Sequence, residues 1–209
     1  MDLKQELKKT LAELRKSKER KFNQSVDLII NLQKFDVKKT PINIFVQVPH
    51  KIKDKKICGF LEAKNKEVDT IIGPEFKKYS EKNALKKLVK KYDFFIAQAS
   101  LMPKVASSFG RVLGPVGKMP SPQLGILVNV DEKIIKNLLE KINKSIKIRV
   151  KEPSIKISIA KQNMEDNEII ENISTIYNSI LKALPRNKEN IKNIEVKFTM
   201  SKPVKIKIR

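Results

Sequence analysis

The sequence predicts two mixed domains, an α+β domain that combines both ends of the chain and an α/β domain inserted between them. At each end, apolar and polar residues alternate with a period of two, which is typical of half-buried strands. In the middle, short apolar runs alternate with amphipathic helical stretches, which favours a mostly parallel sheet covered by helices. The N-terminal part alone is too small to bury a core. We therefore assign residues 1–51 and 146–209 to one discontinuous domain and residues 52–145 to the inserted domain.

The N-terminal part is predicted to contain one helix and two strands. The helix covers residues 3–19, where Leu3, Leu11 and Leu14 recur at roughly helical spacing. The apolar residues of the first strand occupy every second position, and they are Val26, Leu28, Ile30 and Leu32. The second strand repeats this pattern with Ile42, Ile44, Val46 and Val48, and it ends at Pro49-His50-Lys51.

The middle of the chain is predicted to alternate strands with helices. Its strands are the apolar runs KICGFL, VDTII and YDFFIAQA. One helix covers residues 80–91 with Ser80 as its N-cap, and another begins after Asp131, which is placed as its cap.

Alternation with a period of two returns near Ser145. The segments SIKIRVK and SIKISIA are two predicted strands, and we interpret the Glu152-Pro153 between them as the turn of a hairpin. A helix over residues 165–184 follows, and NIEVKFTM and VKIKIR are the last two strands.

The charge of the chain favours a polyanionic partner. Lysine and arginine number 45 against 23 aspartate and glutamate, a net charge of +22, and the apolar fraction of 40% is enough for a folded core. The alternative is a compositional bias towards lysine, or a lysine surface that only aids solubility. A membrane partner is not expected, since no apolar run approaches the roughly 18 residues of a spanning helix.

Catalytic and metal-binding residues are scarce. The one cysteine, Cys58, lies in an apolar run and is predicted to be a core thiol, which fits a reducing compartment. With Cys58 and the one histidine, His50, a classical zinc site cannot be assembled within this chain. No G-x-S-x-G nucleophile motif is present. We therefore predict no enzyme activity, no metal and no cofactor.

Glycine, proline and cations are concentrated in one segment, from Met102 to Pro122. We interpret this segment as a loop that could lie close to a phosphate backbone, because glycine lets main chains approach closely. Its cations and two of its glycines form a candidate RNA-facing loop: Lys104, Arg111, Gly114, Gly117 and Lys118. A nucleotide-binding P-loop is excluded by the spacing of the glycines and by Met119, which follows the lysine where Ser or Thr is required.

A second candidate site lies where the first helix joins the first strand. Cations, an aromatic ring and hydroxyl or amide groups follow one another there, in the run Arg20-Lys21-Phe22-Asn23-Gln24-Ser25. These groups can contact phosphate, ribose and base. Phe22 could equally be a core residue that joins helix to strand. The run Phe198-Thr199-Met200-Ser201, taken alone, indicates only the end of a strand.

These motifs resemble those of the ribosomal protein L1 family, in its short archaeal form. The signature is Met102-Pro103, then FGRVLGP from Phe109, then GKMP from Gly117. The similarity also covers Lys21-Phe22, Pro49-His50 and Thr199-Met200, and so extends over nearly the whole chain.

The resemblance implies a split β-α-β domain built from both termini and an inserted, Rossmann-like three-layer α/β domain. It implies that the first domain binds large-subunit rRNA to form the mobile stalk near the tRNA exit site. It further implies that the protein assists release of deacylated tRNA at the exit site and represses its own mRNA through a leader that mimics the rRNA site. The implied location is the cytoplasm, in association with the ribosome, and the protein off the ribosome is implied to be a monomer.

The resemblance also implies a main RNA-binding site in the first domain, formed by Arg20, Lys21, Phe22, Ser25, Asn193, Thr199, Met200 and Ser201. This moves the main site away from the segment at 102–122, which becomes a secondary surface. Two positions depart from the family. Ser201 stands where a glycine usually follows Thr-Met, and Lys51 where a glycine usually follows Pro-His.

Two other functions compete with this one. One is an enzyme that acts on nucleotides through the inserted α/β domain, and it would bind ATP or GTP. The other is a general nucleic-acid chaperone with no fixed target. Bulk tRNA would then compete with the specific RNA at equal strength for binding to the protein.

Overall fold

The structure is a computed structural model that describes residues 3–16, 20–79, 81–128 and 130–206. The chain divides into unit 1, which comprises Met1–Ile52 and Lys144–Arg209, and unit 2, Lys53–Asn143. Ile52, Lys144 and Ser145 thus belong to unit 1, whereas the sequence pattern assigned them to the inserted domain. Lys144 and Ser145 belong there because both pair with the strand at 43–47 or the residue after it. Ser145 pairs with Gln47, and the N–H of Val48 donates to the carbonyl of Lys144 at 2.7 Å.

The helices and strands of the described residues follow one another along the chain in this order: α1 (Leu3–Arg15), β1 (Ser25–Leu32), β2 (Asn43–Gln47), β3 (Ile57–Phe60), β4 (Asp69–Ile71), α2 (Lys82–Lys91), β5 (Phe94–Gln98), α3 (Met102–Val116), β6 (Ile126–Leu127), α4 (Glu132–Asn143), β7 (Ser145–Arg149), β8 (Ser154–Lys161), α5 (Asp166–Ala183), β9 (Ile191–Phe198) and β10 (Val204–Ile206). Short 3-10 helices cover Gly73–Tyr79, Ala99–Leu101 and Asn187–Asn190. None of the described helices has both the length and the apolar character that crossing a bilayer requires.

Unit 1 contains a four-stranded antiparallel sheet in the order β10-β9-β1-β8. Both β8 and β9 run antiparallel to β1, which lies between them, so they are parallel to each other and α5 connects them. This is the expected split β-α-β arrangement. One face of the sheet is buried in a core that it shares with α1 and α5, as the full burial of Leu11, Leu28 and Ile173 indicates. The period-two prediction for β1 is confirmed, since its buried and half-buried residues alternate without exception.

The hairpin predicted at Glu152-Pro153 is wrong. The two strands beside it lie in different sheets, because β7 pairs with β2 in a two-stranded sheet while β8 pairs with β1. A strand with a period of two can pair with any strand that offers a matching buried face, and Ile148 of β7 lies opposite Ile44 of β2. The period of two therefore predicts the strands but not their partners.

Unit 2 contains a parallel sheet in the order β4-β3-β5-β6, with helices on both faces. On one face, Phe60 and Phe95 share a core with α2, α3 and the 3-10 helix at 73–79. On the other face, Ile57 and Ile96 share a core with α4. This is the expected three-layer α/β architecture. Cys58 is fully buried in the first of these cores, which confirms the prediction of a core thiol.

The loop predicted from Met102 to Pro122 is wrong, because its first 15 residues form α3. Apolar residues recur with a spacing of four at Val105, Phe109 and Leu113, all fully buried. The ring of Phe109 lies 4.8 Å from that of Phe60, which attaches α3 to the sheet. Pro103 stands in the first turn, where a missing N–H is tolerated, and Gly117 ends the helix in the left-handed region at φ 78°. Pro103 and Gly117 therefore mark the two ends of a helix, and Gly110, Gly114 and Pro115 lie within it.

Candidate nucleic-acid interface

The start of β1 and the end of β9 bring two sequence-predicted segments together. Ser25 and Thr199 are 174 residues apart in the chain. The N–H of Thr199 donates to the carbonyl of Ser25 at 3.1 Å, and the N–H of Ser25 donates to Oγ1 of Thr199 at 3.1 Å. We name the group Phe22, Ser25, Thr199, Met200 and Ser201 the strand-end cluster.

The turn after β9 is closed by the side chain of Ser201. Its Oγ accepts the N–H of Phe198 at 2.8 Å, and its own N–H donates to the carbonyl of Phe198 at 3.1 Å. Among the described residues other than glycine, only Lys34 and Asn187 have a positive φ. The backbone at Ser201 therefore does not require the glycine usual in the family, and the hydroxyl adds a bond that glycine cannot form.

The main chain of Met200 is held by a residue that the sequence analysis did not single out. Gln24 is only 2% exposed, and its Oε1 accepts the N–H of Met200 at 3.0 Å. Its carbonyl accepts the N–H of Gln162 at 2.9 Å, which attaches the β8–α5 connection to the same point. Gln24 extends the inward alternation of β1 by one step, so the period of two contained the signal that it is buried.

Two large apolar side chains of the cluster lie on the surface. Phe22 is 51% exposed and Met200 is 59% exposed. The alternative in which Phe22 is a core residue is therefore wrong. Arg20 and Lys21, just before Phe22, are exposed as well, so cations lie next to apolar surface. Single-stranded RNA is commonly bound by such a combination, since bases stack on apolar surface and phosphates meet the charges.

The end of β8 and the β8–α5 connection add polar groups that the sequence analysis also missed. Nζ of Lys161 donates to Oγ of Ser25 at 2.9 Å. The side chains of Asn23 and Asn163 bond to each other at 2.9 Å, and the N–H of Asn163 donates to Oδ1 of Asn23. Beside them, burial raises the pKa of the Asp27 carboxyl, and the charge of Lys197 opposes this effect. Lys161 thus adds a third cation near the cluster.

Asn193 is not beside the strand-end cluster. It lies near the other end of β9, five residues before Phe198, which is roughly 17 Å along a strand. Its Oδ1 accepts Nδ2 of Asn31 at 2.7 Å, and its Nδ2 donates to Glu195 at 3.3 Å. It does lie on the polar face of the sheet, the face that also carries Ser25 and Thr199.

The residues predicted as a secondary surface have different positions in unit 2. Lys104, Arg111 and Gly114 are exposed on α3, and apart from the neighbouring residues and backbone of α3 itself, no atom lies within 4 Å of the position that a Cβ on Gly114 would take. Lys118 is half-buried, and its ammonium donates to the carbonyls of Val89 at 2.8 Å and Tyr92 at 2.7 Å.

Lys118 therefore closes the C-terminal end of α2, and burial lowers the pKa of its ammonium. Gly117 is the left-handed cap of α3. These two positions have structural roles, whereas the exposed positions on α3 have no such role in the described residues. Across those residues, no group of three or more His, Cys, Asp or Glu side chains could hold a metal ion.

Comparison with known proteins agrees with the fold. Residues 14–202 match the Ribosomal protein L1p/L10e family. Large ribosomal subunit protein uL1 of Nanoarchaeum equitans is 35% identical over 202 residues, covering 92% of this chain and 95% of the relative. The uL1 proteins of Pyrobaculum arsenaticum and Pyrococcus abyssi are 38% and 36% identical, covering 93% and 92% of this chain and 89% and 90% of the relatives. The chain therefore belongs to the ribosomal protein L1 family.

Proposed function

We propose that the chain is a structural constituent of the large ribosomal subunit and binds large-subunit rRNA through the strand-end cluster. The observation that carries this proposal is the exposure of Phe22 and Met200 at a point where main-chain bonds hold two distant segments together. The family supports the ribosomal partner. A protein of this kind acts in the cytoplasm on the ribosome, and its function includes no catalytic step.

The chemistry of the cluster suits a folded RNA segment. Phe22 and Met200 offer apolar surface to a base or ribose, while Arg20, Lys21 and Lys161 can meet phosphates. The hydroxyl of Thr199 can meet a ribose 2′-hydroxyl, the group that distinguishes RNA from DNA.

The finer functions follow from the family rather than from any one contact. We propose that the bound protein forms the mobile stalk near the exit site and assists release of deacylated tRNA. We also propose that the strand-end cluster binds a leader of its own mRNA that imitates the rRNA site. Asn193, on the same sheet face, is a further proposed contact, and Lys104 and Arg111 are proposed secondary contacts.

Alanine substitutions test the location of the site. Phe22→Ala should weaken binding of the stalk rRNA fragment by about tenfold, because stacking of a base on an aromatic ring contributes about 1–3 kcal/mol. Met200→Ala should have an effect of similar size, because burying a methionine side chain contributes about 1.5–3 kcal/mol. Both side chains are more than half exposed, so the free energy of unfolding should change little. Val128→Ala, at an 80% exposed apolar residue of unit 2, is the matched control and should leave rRNA affinity unchanged. Wild-type affinity in both cluster variants would refute this location.

Competition experiments test the function itself. The logarithm of the rRNA affinity should fall linearly with the logarithm of salt concentration, and a flat plot would refute phosphate contacts. Equal competition by bulk tRNA would favour a general chaperone. Stabilisation by Mg-ATP or Mg-GTP in a thermal shift assay would favour a nucleotide enzyme.

A further inference from the structure

The helices of unit 2 divide their charges unequally between the two faces of the sheet. On one face, α2 carries five lysines and α3 carries Lys104 and Arg111, and neither helix contains an acidic residue. The 3-10 helix on the same face adds Glu75, Lys77 and Lys78. On the other face, α4 carries Lys133, Lys136 and Lys141 together with Glu132 and Glu140. A general bias towards lysine would affect both faces alike, so it does not account for this difference.

Within α2, the lysines repel one another. Lys86 and Lys90 are four residues apart on one side of the helix, as are Lys87 and Lys91. Like charges at this spacing destabilise a helix. In α4 the same spacing joins Glu132 to Lys136 and Lys136 to Glu140, which are attractive pairs. The charges of α4 keep the surface soluble as well, but without repulsion between like charges.

Three lysines of α2 have no structural partner in the described part of the chain. Leu85, Leu88 and Val89 form its buried side, and Lys86, Lys87 and Lys90 lie exposed on the opposite side. Of the α2 lysines with described side chains, Lys91 forms an ion pair, with Asp69 at 3.9 Å, whereas Lys86, Lys87 and Lys90 form none with a described carboxylate.

The C-terminal carbonyls of α2 do not require these lysines either. Cations near a helix C-terminus are stabilising, and Lys90 and Lys91 occupy that position. The ammonium of Lys118 already occupies the carbonyls of Val89 and Tyr92, however. Lys86 and Lys87 lie in the middle of the helix, outside the reach of this effect.

We propose that the exposed face of α2 and α3 is a second RNA-binding surface, one that holds the phosphate backbone of a duplex without reading its sequence. We name it the helical basic face, and its cations are Lys86, Lys87, Lys90, Lys104 and Arg111. It extends the proposed secondary contacts on α3 to the neighbouring helix, and it rests on the proposed RNA-binding function in taking RNA as the polyanion. Backbone contacts of this kind release counterions and position a protein without sequence preference.

The test uses the full chain and a 20-base-pair RNA duplex of arbitrary sequence. The variant Lys86→Gln/Lys87→Gln removes two charges from the middle of α2. The matched control, Lys133→Gln/Lys141→Gln, removes two charges from exposed lysines of α4. The salt dependence of duplex affinity is measured for each protein between 50 and 200 mM.

The α2 variant should lose about two units of the log-log salt slope, because each phosphate contact contributes roughly 0.9. Over this salt range the wild type should then lose about tenfold more affinity than the variant. The control should keep the wild-type slope. An equal change in both variants would mean a general effect of net charge and would overturn the proposal, as would unmeasurable duplex binding by the wild type.

Two further measurements are needed. The first distinguishes the helical basic face from the strand-end cluster, and the second distinguishes RNA from anionic lipid. Phe22→Ala/Met200→Ala should keep the wild-type slope with the arbitrary duplex, and its effect on the stalk rRNA fragment tests the proposed function separately. Vesicles containing phosphatidylserine provide the second measurement. Vesicle binding that depends on Lys86 and Lys87, together with duplex binding that does not, would assign the face to anionic lipid and overturn the proposal.

Discussion

Replacing Asn172 by leucine should destabilise unit 1 far more than an exposed change on the same helix. Asn172 lies on α5 and is fully buried. Its Nδ2 donates to the carbonyls of His50 and Ile159 at 3.1 Å each, and its Oδ1 accepts the N–H of His50 at 3.1 Å. Ile159 lies at the bulge where β8 shifts its register against β1, so it has no paired residue on β1. The side-chain amide of Asn172 donates to its carbonyl instead.

The size of the effect follows from the groups that leucine leaves without a partner. A buried polar group without a hydrogen bond costs about 1–3 kcal/mol, and Ile159 is fully buried. The bonds to the main chain of His50 are only partly buried, so water can recover part of the loss there. We therefore expect Asn172→Leu to lower the free energy of unfolding by about 2–4 kcal/mol.

Urea denaturation followed by circular dichroism measures this loss. With a slope of about 2 kcal/mol per molar, the midpoint should fall by roughly 1–2 M. Asn178→Leu, at an exposed position of α5, is the control and should change the free energy of unfolding by less than about 0.5 kcal/mol. Equal midpoints for the two variants would refute the argument that the amide stabilises the bulge.

Four further predictions concern single side chains. Gln24→Met removes the acceptor of the Met200 N–H and should lower rRNA affinity severalfold while costing about 1 kcal/mol of stability; unchanged affinity would contradict its positioning role. Ser201→Gly should also cost about 1 kcal/mol, and a gain in rRNA affinity would instead show that the side chain obstructs RNA. Burial raises the pKa of Cys58 to about 12, so a thiol reagent at pH 8 should label the protein only after denaturation, and rapid native labelling would contradict this. Burial, with a neighbouring lysine, lowers the pKa of Lys55 from 10.5 to about 8; the folded state then binds fewer protons, stability should rise from about pH 8 to 10.5, and Lys55→Met should reduce that rise.

Elements with a clear hydrophobic period were predictable from the sequence. The buried positions of β1 follow the alternation, and α5 buries Ile169, Ile173, Ile176 and Ile180 as its helical spacing indicates. Each of these elements buries one face, so the spacing of its apolar residues shows which residues share that face. This information is local in the chain. The N-cap predicted at Ser80 lies outside the described residues. Glu81 precedes α2 there, and its side chain forms no cap bond.

Pairing and the ends of helices were harder to predict. The hairpin at Glu152-Pro153 failed because the partner of β7 is β2, about a hundred residues earlier, and no local signal specifies that pair. The segment at 102–122 failed because Pro103 and Gly117 were treated as signs of a loop, although both are favoured at opposite ends of a helix. In the strand-end cluster, motif resemblance gave Phe22 and Met200, but Gln24 and Lys161 depend on contacts between distant segments.

The hydrogen bonds within the strand-end cluster bear on how tightly it would bind RNA in its proposed role. Val26 and Phe198 are buried at the ends of β1 and β9, whereas Phe22 and Met200 lie on the surface. The main chain around them is fixed by the bonds between Ser25 and Thr199. Ordering one residue costs roughly 1–2 kcal/mol of main-chain entropy, and here folding supplies that order before RNA arrives. More of the contact energy then remains as affinity, so a variant that loosens these strand ends should weaken RNA binding without removing any group that contacts RNA.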